Sequence, residues 1–150
     1  MPDFLPAVGR IVSLQLCPGH RKPMNFVEQA EAVTNLGLKD DRHAIPDSSR
    51  QVLLLEKELL DQLTLLPGQV KENITTEGIR LANLKYGDRL ELGGALFEIT
   101  KNCTPCSRME EIRPGLKKEI TGKRGTLARV IRGGLIRRGD SIRLIPSRLI

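Results

Sequence analysis

A mainly β fold, a barrel with a few short helices, is what this sequence predicts, and three observations predict it. Short runs of alternating apolar and polar residues recur along the chain, each closed by Gly or Pro. Only one stretch carries a clear helical period, and nothing alternates strand with long helix as a parallel α/β sheet would. Two segments, Tyr86–Gly93 and Arg138–Ile145, share the pattern Gly-Asp-x-apolar-x-apolar. Asp can bond its own backbone at such a turn and Gly tolerates positive φ, so both strands start from the same kind of corner.

In chain order, GRIVSLQL (Gly9–Leu16) alternates as a half-buried strand and is broken by Cys17-Pro18-Gly19. FVEQAEAVTNLGL (Phe26–Leu38) is a further extended segment. RQVLLLEKELLDQL (Arg50–Leu63) reads as a short strand running into a helix, because Leu55, Leu59, Leu60 and Leu63 fall at helical spacing. Pro67-Gly68 is the expected end of that helix. ENITTEGIRLANL (Glu72–Leu84) and DRLELGGALFEIT (Asp88–Thr100) are β-like, the second with Gly93-Gly94 as a turn between strands. Ser107–Gly122 is polar and interrupted by Pro114-Gly115, so short helical turns and loop are expected. Thr126–Ile145 closes the chain as two strands around Gly133-Gly134.

The 150 residues suit one domain. With three Phe, one Tyr and no Trp, its core must rest on Leu, Ile and Val. The N-terminal MPDFLPAVGR has no apolar signal region, and no run is long enough to span a membrane, so the sequence reads as cytoplasmic with reduced thiols. Three cysteines do not make a disulfide framework. The net charge of +6 is uneven: from Ser107 onward twelve Lys/Arg face four Asp/Glu, whereas the first 106 residues carry twelve against fourteen. A basic C-terminal third suits an anionic partner or a solvated face. Four aromatic residues offer little to stack bases on, which argues against nucleic acid and leaves a small phosphorylated ligand.

Four polar stretches border the expected strands: Gly37–His43, Ser49–Val52, Pro67–Thr75 and Asn102–Cys106. Loops on a rigid scaffold commonly hold function. Cys103-x-x-Cys106 and Cys17-x-x-His20 each have metal-ligand spacing, and together they would make a Cys3His zinc site. A redox couple would need Cys-x-x-Cys opening a helix in a βαβ setting, which the sequence does not provide. A third reading makes Cys106 a lone functional thiolate. Pro105 stiffens its approach, the segment from Ser107 offers backbone N–H groups, and Arg108 adds a cation. Such a sulfur ligates a transition metal or accepts a sulfur atom as a persulfide. A buried structural cysteine is the fourth reading.

Taken in order, Gly37, Asp41-Arg42-His43, Arg50-Gln51, Pro67-Gly68, Glu72-Asn73-Ile74, Gly87-Asp88, Pro105-Cys106, Arg124-Gly125, Arg129, Gly133-Gly134 and Gly139-Asp140 resemble the MOSC domain, the module that also ends molybdenum-cofactor sulfurases. The resemblance runs from about Gly9 to Ile145, so residues 1–150 read as a single MOSC domain with its core at about 9–145. It implies a MOSC-type β-barrel and an essential cysteine, which maps onto Cys106 as molybdenum ligand or sulfur carrier. It also implies that His43, Arg50, Lys71, Asn73, Thr75, Arg124 and Arg129 bind the cofactor, with the cations facing the pterin phosphate and Asn73 the pterin edge. Molybdenum cofactor is thus the implied cofactor, with zinc second, and pyridoxal phosphate binding is a further family association. Implied partners are a phosphate-bearing cofactor and either cofactor-biosynthesis proteins or a redox partner; a non-catalytic partner-binding barrel is the rival. Two positions depart from the family pattern: Asp40 stands where glycine is usual, and Lys71 where arginine is usual, losing a bidentate fork. Cys17, His20 and Cys103 lie outside the motif, and the bland alternative for Asp41 and Arg42 is that they only pair with each other. The chain lacks the extra N-terminal domain of amidoxime-reducing members, which argues against a full reductase.

Overall fold

The computed structural model describes residues 6–123 and 125–149. Seven strands close a barrel: β1 (Ala7–Leu16), β5 (Val52–Glu56), β6 (Ile74–Glu77), β7 (Arg89–Leu92), β8 (Ala95–Asn102), β9 (Thr126–Arg132) and β11 (Ser141–Ile145). Their order is β11-β7-β8-β9-β5-β6-β1, and the β1–β11 pairing completes the ring. Strand β2 (Asn25–Val27) extends this sheet beside β1. A separate three-stranded sheet has the order β10 (Gly134–Arg137), β3 (Gln29–Val33), β4 (Gly37–Leu38). The mainly β barrel read from the sequence is the fold observed.

The repeated corner behaves as expected. In each copy the aspartate accepts from the backbone N–H three residues earlier: Lys85 N to Asp88 Oδ2 and Arg137 N to Asp140 Oδ2, both 2.8 Å. The strands that follow, β7 and β11, are antiparallel neighbours in the barrel. Burial tilts Asp88 toward its neutral form. The N–H groups of Lys85 and Ser147, the Ser147 hydroxyl and the Lys85 charge outweigh that, and the carboxyl titrates below its ordinary value.

Three elements differ from the sequence reading. Helix α1 (Lys57–Gln62) is shorter than its leucine spacing suggests. Leu55 belongs to β5, and the helix ends five residues before Pro67, with Thr64 in the left-handed region at φ 57°. After β6 the chain forms a 3-10 turn at Leu81–Asn83 in place of further strand. The last segment holds three strands rather than two, because Gly133-Gly134 is no hairpin turn. There Gly133 N–H donates to Thr34 Oγ1 (2.9 Å) and β10 leaves the barrel to pair with β3, with Gly134 opposite Ala32.

Strands β5 and β6 are parallel, and every other strand pairing among the described residues is antiparallel. Parallel neighbours need a long crossover, and residues 57–73 supply it through α1 and the Pro67–Asn73 loop. This strand explains how the core divides. Val52 and Leu54 point into the barrel with Ile11, Leu14, Ile74, Leu90, Phe97, Ile99 and Val130. Leu55 faces a second cluster with Leu60 of α1, Met109 of α2 (Arg108–Ile112) and Leu116 of α3 (Leu116–Glu119). Leu53 joins Cys103 and Leu127 in a third, smaller cluster. A strand buried on both faces reads as the unbroken apolar run Val-Leu-Leu-Leu.

Candidate functional site

The third cluster lies under a small pocket of about 80 Å³, lined by His43, Arg50, Leu53, Lys71, Asn73, Cys103 and Leu127. Four of the residues expected to bind a cofactor therefore meet here: His43, Arg50, Lys71 and Asn73. The floor is a hydrogen-bonded network at the ends of β1, β5 and β6. Asn73 Nδ2 donates to Gln15 O (3.2 Å) and Asp41 Oδ1 (2.9 Å), while its Oδ1 accepts from Leu53 N (3.0 Å). Both N–H groups of that amide are thus engaged by the protein, so Asn73 clamps two strands and a loop rather than presenting free donors to a pterin edge.

Asp41 anchors the loop after β4. Its side chain is fully buried and accepts from Cys17 N (2.6 Å), His43 N (3.0 Å) and Asn73 Nδ2, with His43 Nδ1 3.3 Å away. It is not paired with Arg42, the bland alternative; Arg42 turns to His20 (3.1 Å) on the surface. Asp40, at the position of the family's glycine, sits at φ 70°, a conformation aspartate adopts more readily than most residues. Below this, Gln15 Nε2 donates to Glu72 O (2.9 Å) and Thr75 Oγ1 (3.2 Å), and Thr75 Oγ1 donates to Glu72 Oε2 (2.9 Å). Glu72 Oε2 also accepts from Gly68 N (3.0 Å), which shapes the turn that presents Lys71. Thr75 is therefore a buried support and does not line the pocket. Lys71 donates to Lys22 O (2.8 Å), joining the pocket wall to the loop after β1.

The sulfur in the pocket is that of Cys103. It is 8% exposed, and the Arg50 guanidinium approaches it, with Nη2 at 3.9 Å. Its backbone N–H donates to Gly125 O (2.9 Å). Gly125 has φ 113°, and a Cβ there would stand 2.5 Å from Leu54 O, so this position requires glycine. Cys106, the cysteine expected from the sequence, is exposed just before α2 and is not among the pocket residues. Arg129 is also elsewhere: its Nε and Nη2 both donate to Glu98 Oε1, at 2.9 and 2.7 Å, across the β8–β9 pair. Arg124 lies outside the described residues.

Among the described residues, no three His, Cys, Asp or Glu side chains gather so as to hold a metal ion. Cys17, His20, Cys103 and Cys106 therefore do not form the tetrahedral zinc set their spacing allowed. Cys17 is buried and its thiol faces Gly19 O (3.4 Å). A roomier groove of about 280 Å³ runs between α1 and the ends of β8 and β9, but none of the described residues expected at the site lines it. No helix among the described residues is long and apolar enough to cross a membrane.

A model of the MOSC domain matches residues 35–143. The chain belongs to the MOSC domain family. Its barrel is similar to that of YuaD from Bacillus subtilis, at 20% identity and a TM-score of 0.77, covering 91% of this chain and 94% of that one. It is also similar to YiiM from Geobacillus stearothermophilus (21%, TM-score 0.72, 91% and 75% covered) and to YiiM from Escherichia coli (21%, 0.67, 91% and 69%). No curated protein sequence matches the chain.

In this MOSC domain three residues to which the sequence assigned no binding role, Asp41, Glu72 and Cys103, line or support the pocket. The first two stand inside the quoted motifs, and their signal was an acidic side chain beside strand-forming residues. Cys103 gave no such signal, because its place depends on where β8 ends against β9.

Proposed function

We propose that this MOSC domain acts through a cysteine sulfur beside a cationic pocket, either as the protein ligand of a molybdenum cofactor or as a sulfur carrier. The supporting observation is the meeting of the Cys103 sulfur, Arg50, Lys71 and His43 at one small opening. In this reading Cys103 is the working sulfur, and Cys106, the sequence candidate, stands outside the opening.

The donor set suits the metal end of such a cofactor: one soft sulfur for a thiophilic metal, with cations for anionic oxygens. Binding sites for whole cofactors run to about 300–1,000 Å³. A pocket of about 80 Å³ takes the metal end alone, leaving the pterin to the surface around it. When bound, the cofactor supplies two-electron redox chemistry at its metal. The chain's own part is to hold the sulfur in place through Gly125, to face it with the Arg50 guanidinium, and to fix the His43 ring through Asp41. As a carrier, the Cys103 thiolate would attack the terminal sulfur of a donor persulfide. One S–S bond forms on Cys103 as the donor's breaks, and the donor leaves as its thiolate.

Elemental analysis and intact mass of the purified chain test this. Molybdenum, or an added sulfur atom, that is lost in Cys103→Ser and retained in Cys106→Ser supports the proposal. Loss in Cys106→Ser alone moves the function to the exposed thiol. Loading unchanged in both variants overturns the thiol reading.

A further inference from the structure

The groove of about 280 Å³ opens where α1 and the 3-10 turn Leu81–Asn83 meet the last residue of β8 and the first of β9. The mouth of a β-barrel is a common place for a small-molecule site. This one shares no lining residue with the cysteine pocket. Thr126, in the groove, stands opposite Leu54, which points into the barrel, whereas Leu127 packs with Cys103. Successive residues of a strand face opposite sides, so groove and pocket draw on different faces of β9.

The apolar part of the lining is Leu55, Leu59 and Leu81. Beside it, Thr126 is 2% exposed, and among the described residues its hydroxyl has no hydrogen-bond partner. Buried hydroxyls are normally satisfied, so one left open in a cavity wall is a point of attachment. Two carboxylates are fixed at the same opening. Glu56 Oε1 accepts from Leu81 N (2.5 Å) and Glu58 Oε2 from Gly78 N (2.8 Å), which leaves the second oxygen of each without a partner among the described residues. Arg80 and Lys123 also line the groove, and neither has a carboxylate partner among the described residues.

Two anions and two cations therefore surround one apolar floor without pairing with each other. A purely anionic ligand would face Glu56 and Glu58, and a purely cationic one would face Arg80 and Lys123. A ligand carrying both charges meets both pairs. We propose that this groove binds a free α-amino acid with an aliphatic side chain. Its carboxylate lies toward Arg80 and Lys123, its ammonium toward the open oxygens of Glu56 and Glu58, and its side chain over Leu55, Leu59 and Leu81. The Thr126 hydroxyl supplies a hydrogen bond to the head group. No cysteine takes part, nor do His43, Arg50, Lys71 or Asn73, so the site stands or falls independently of the thiol reading.

The test is a titration of the full chain with L-leucine, followed by backbone amide NMR. Isocaproate, which is leucine without its ammonium, and isoamylamine, which is leucine without its carboxylate, are the comparison ligands. The expected result is a saturable shift of the Leu81, Lys123 and Thr126 amides with leucine. Affinity should be weaker by about tenfold or more for either comparison ligand, and in each of Arg80→Gln and Glu58→Gln, since each change removes one charge-assisted contact. Thr126→Val, which removes only the hydroxyl, should weaken leucine by about threefold or more. Isocaproate or isoamylamine binding as tightly as leucine overturns the proposal. So does affinity unchanged in the Arg80→Gln, Glu58→Gln double variant with its backbone amide spectrum intact, or no saturable shift at millimolar leucine.

Discussion

The floor of the pocket and the cationic rim beside it lie within a few residues of each other, yet they are built on opposite terms. In the floor, Asp41, Asn73, Gln15 and Thr75 are buried, and each side chain has protein partners for its polar atoms. On the rim, His20 and Arg42 are exposed, and donors outnumber acceptors. Arg42 follows Asp41 directly in the sequence, so the change happens across one peptide bond. Buried polar groups must be satisfied from within because no water reaches them, whereas an exposed cluster can leave charge unmet. A rigid floor holds the sulfur and the imidazole in place; the rim keeps a surplus of positive charge in contact with solvent.

The sharpest way to break this contrast is to remove the neighbours one at a time. Asp41→Ala strands the N–H groups of Cys17, His43 and Asn73 in a buried place and should cost about 3 kcal/mol or more in denaturant unfolding. Arg42→Ala should cost under about 0.5 kcal/mol, as exposed substitutions usually do. Equal losses would show that floor and rim are one structural unit.

Next in size is Gly125→Ala. The φ of 113° and the close Leu54 carbonyl predict about 2 kcal/mol of destabilisation. Because Gly125 O holds the Cys103 backbone, iodoacetamide should label Cys103 faster in this variant, while the exposed Cys106 labels at its former rate. Mass spectrometry of the two sites decides it, and unchanged labelling at Cys103 would show that the carbonyl does not position the sulfur.

The smallest effects are expected in the pH dependence of stability. The Asp88 carboxyl titrates lower in the folded chain than unfolded, so its contribution is complete above the ordinary carboxylate value of about 3.9 and is lost as pH falls through the folded value. Asp88→Asn should flatten that acid limb. On the rim the sign is the same but the window is higher. Arg108 foremost among its neighbours depresses the His20 pKa in the folded chain, so the unfolded chain binds the proton first, and stability declines as pH drops below the histidine value of about 6.5. His20→Gln should remove that step and leave the Asp88 limb intact; urea midpoints from pH 3 to 8 would separate the two.

Much of this architecture was legible in the chain as letters. Alternating runs placed β1, the β7–β8 hairpin and β9, and the Gly-Asp echo marked two corners that turned out to precede neighbouring strands. Period-2 patterns and turn residues are local properties, so they survive without knowledge of the fold. The leucines from Leu55 to Leu63 misled for a physical reason. Leu55 is buried on the helix side of a strand that is apolar on both faces, and from there it mimics the first turn of the helix that follows. The departure of β10 to a second sheet was invisible because it depends on Thr34 and Ala32, about a hundred residues away.

The same division runs through the site. The ordered motifs, read as letters, were sufficient to mark the chain as a MOSC barrel, and the resemblance brought forward seven binding residues, of which His43, Arg50, Lys71 and Asn73 meet at the pocket while Thr75 and Arg129 do not line it. Which of the two neighbouring cysteines faces that group was decided only by the tertiary structure. Cys103 continues beyond β8 against Gly125 and is drawn inward by Leu53 and Leu127, while Cys106, three residues on, has already left the sheet for the solvent edge of α2. Likewise only the folded chain could set His20 between Arg42 and Arg108, since spacing along a sequence says nothing of where charges from two loops and a helix converge.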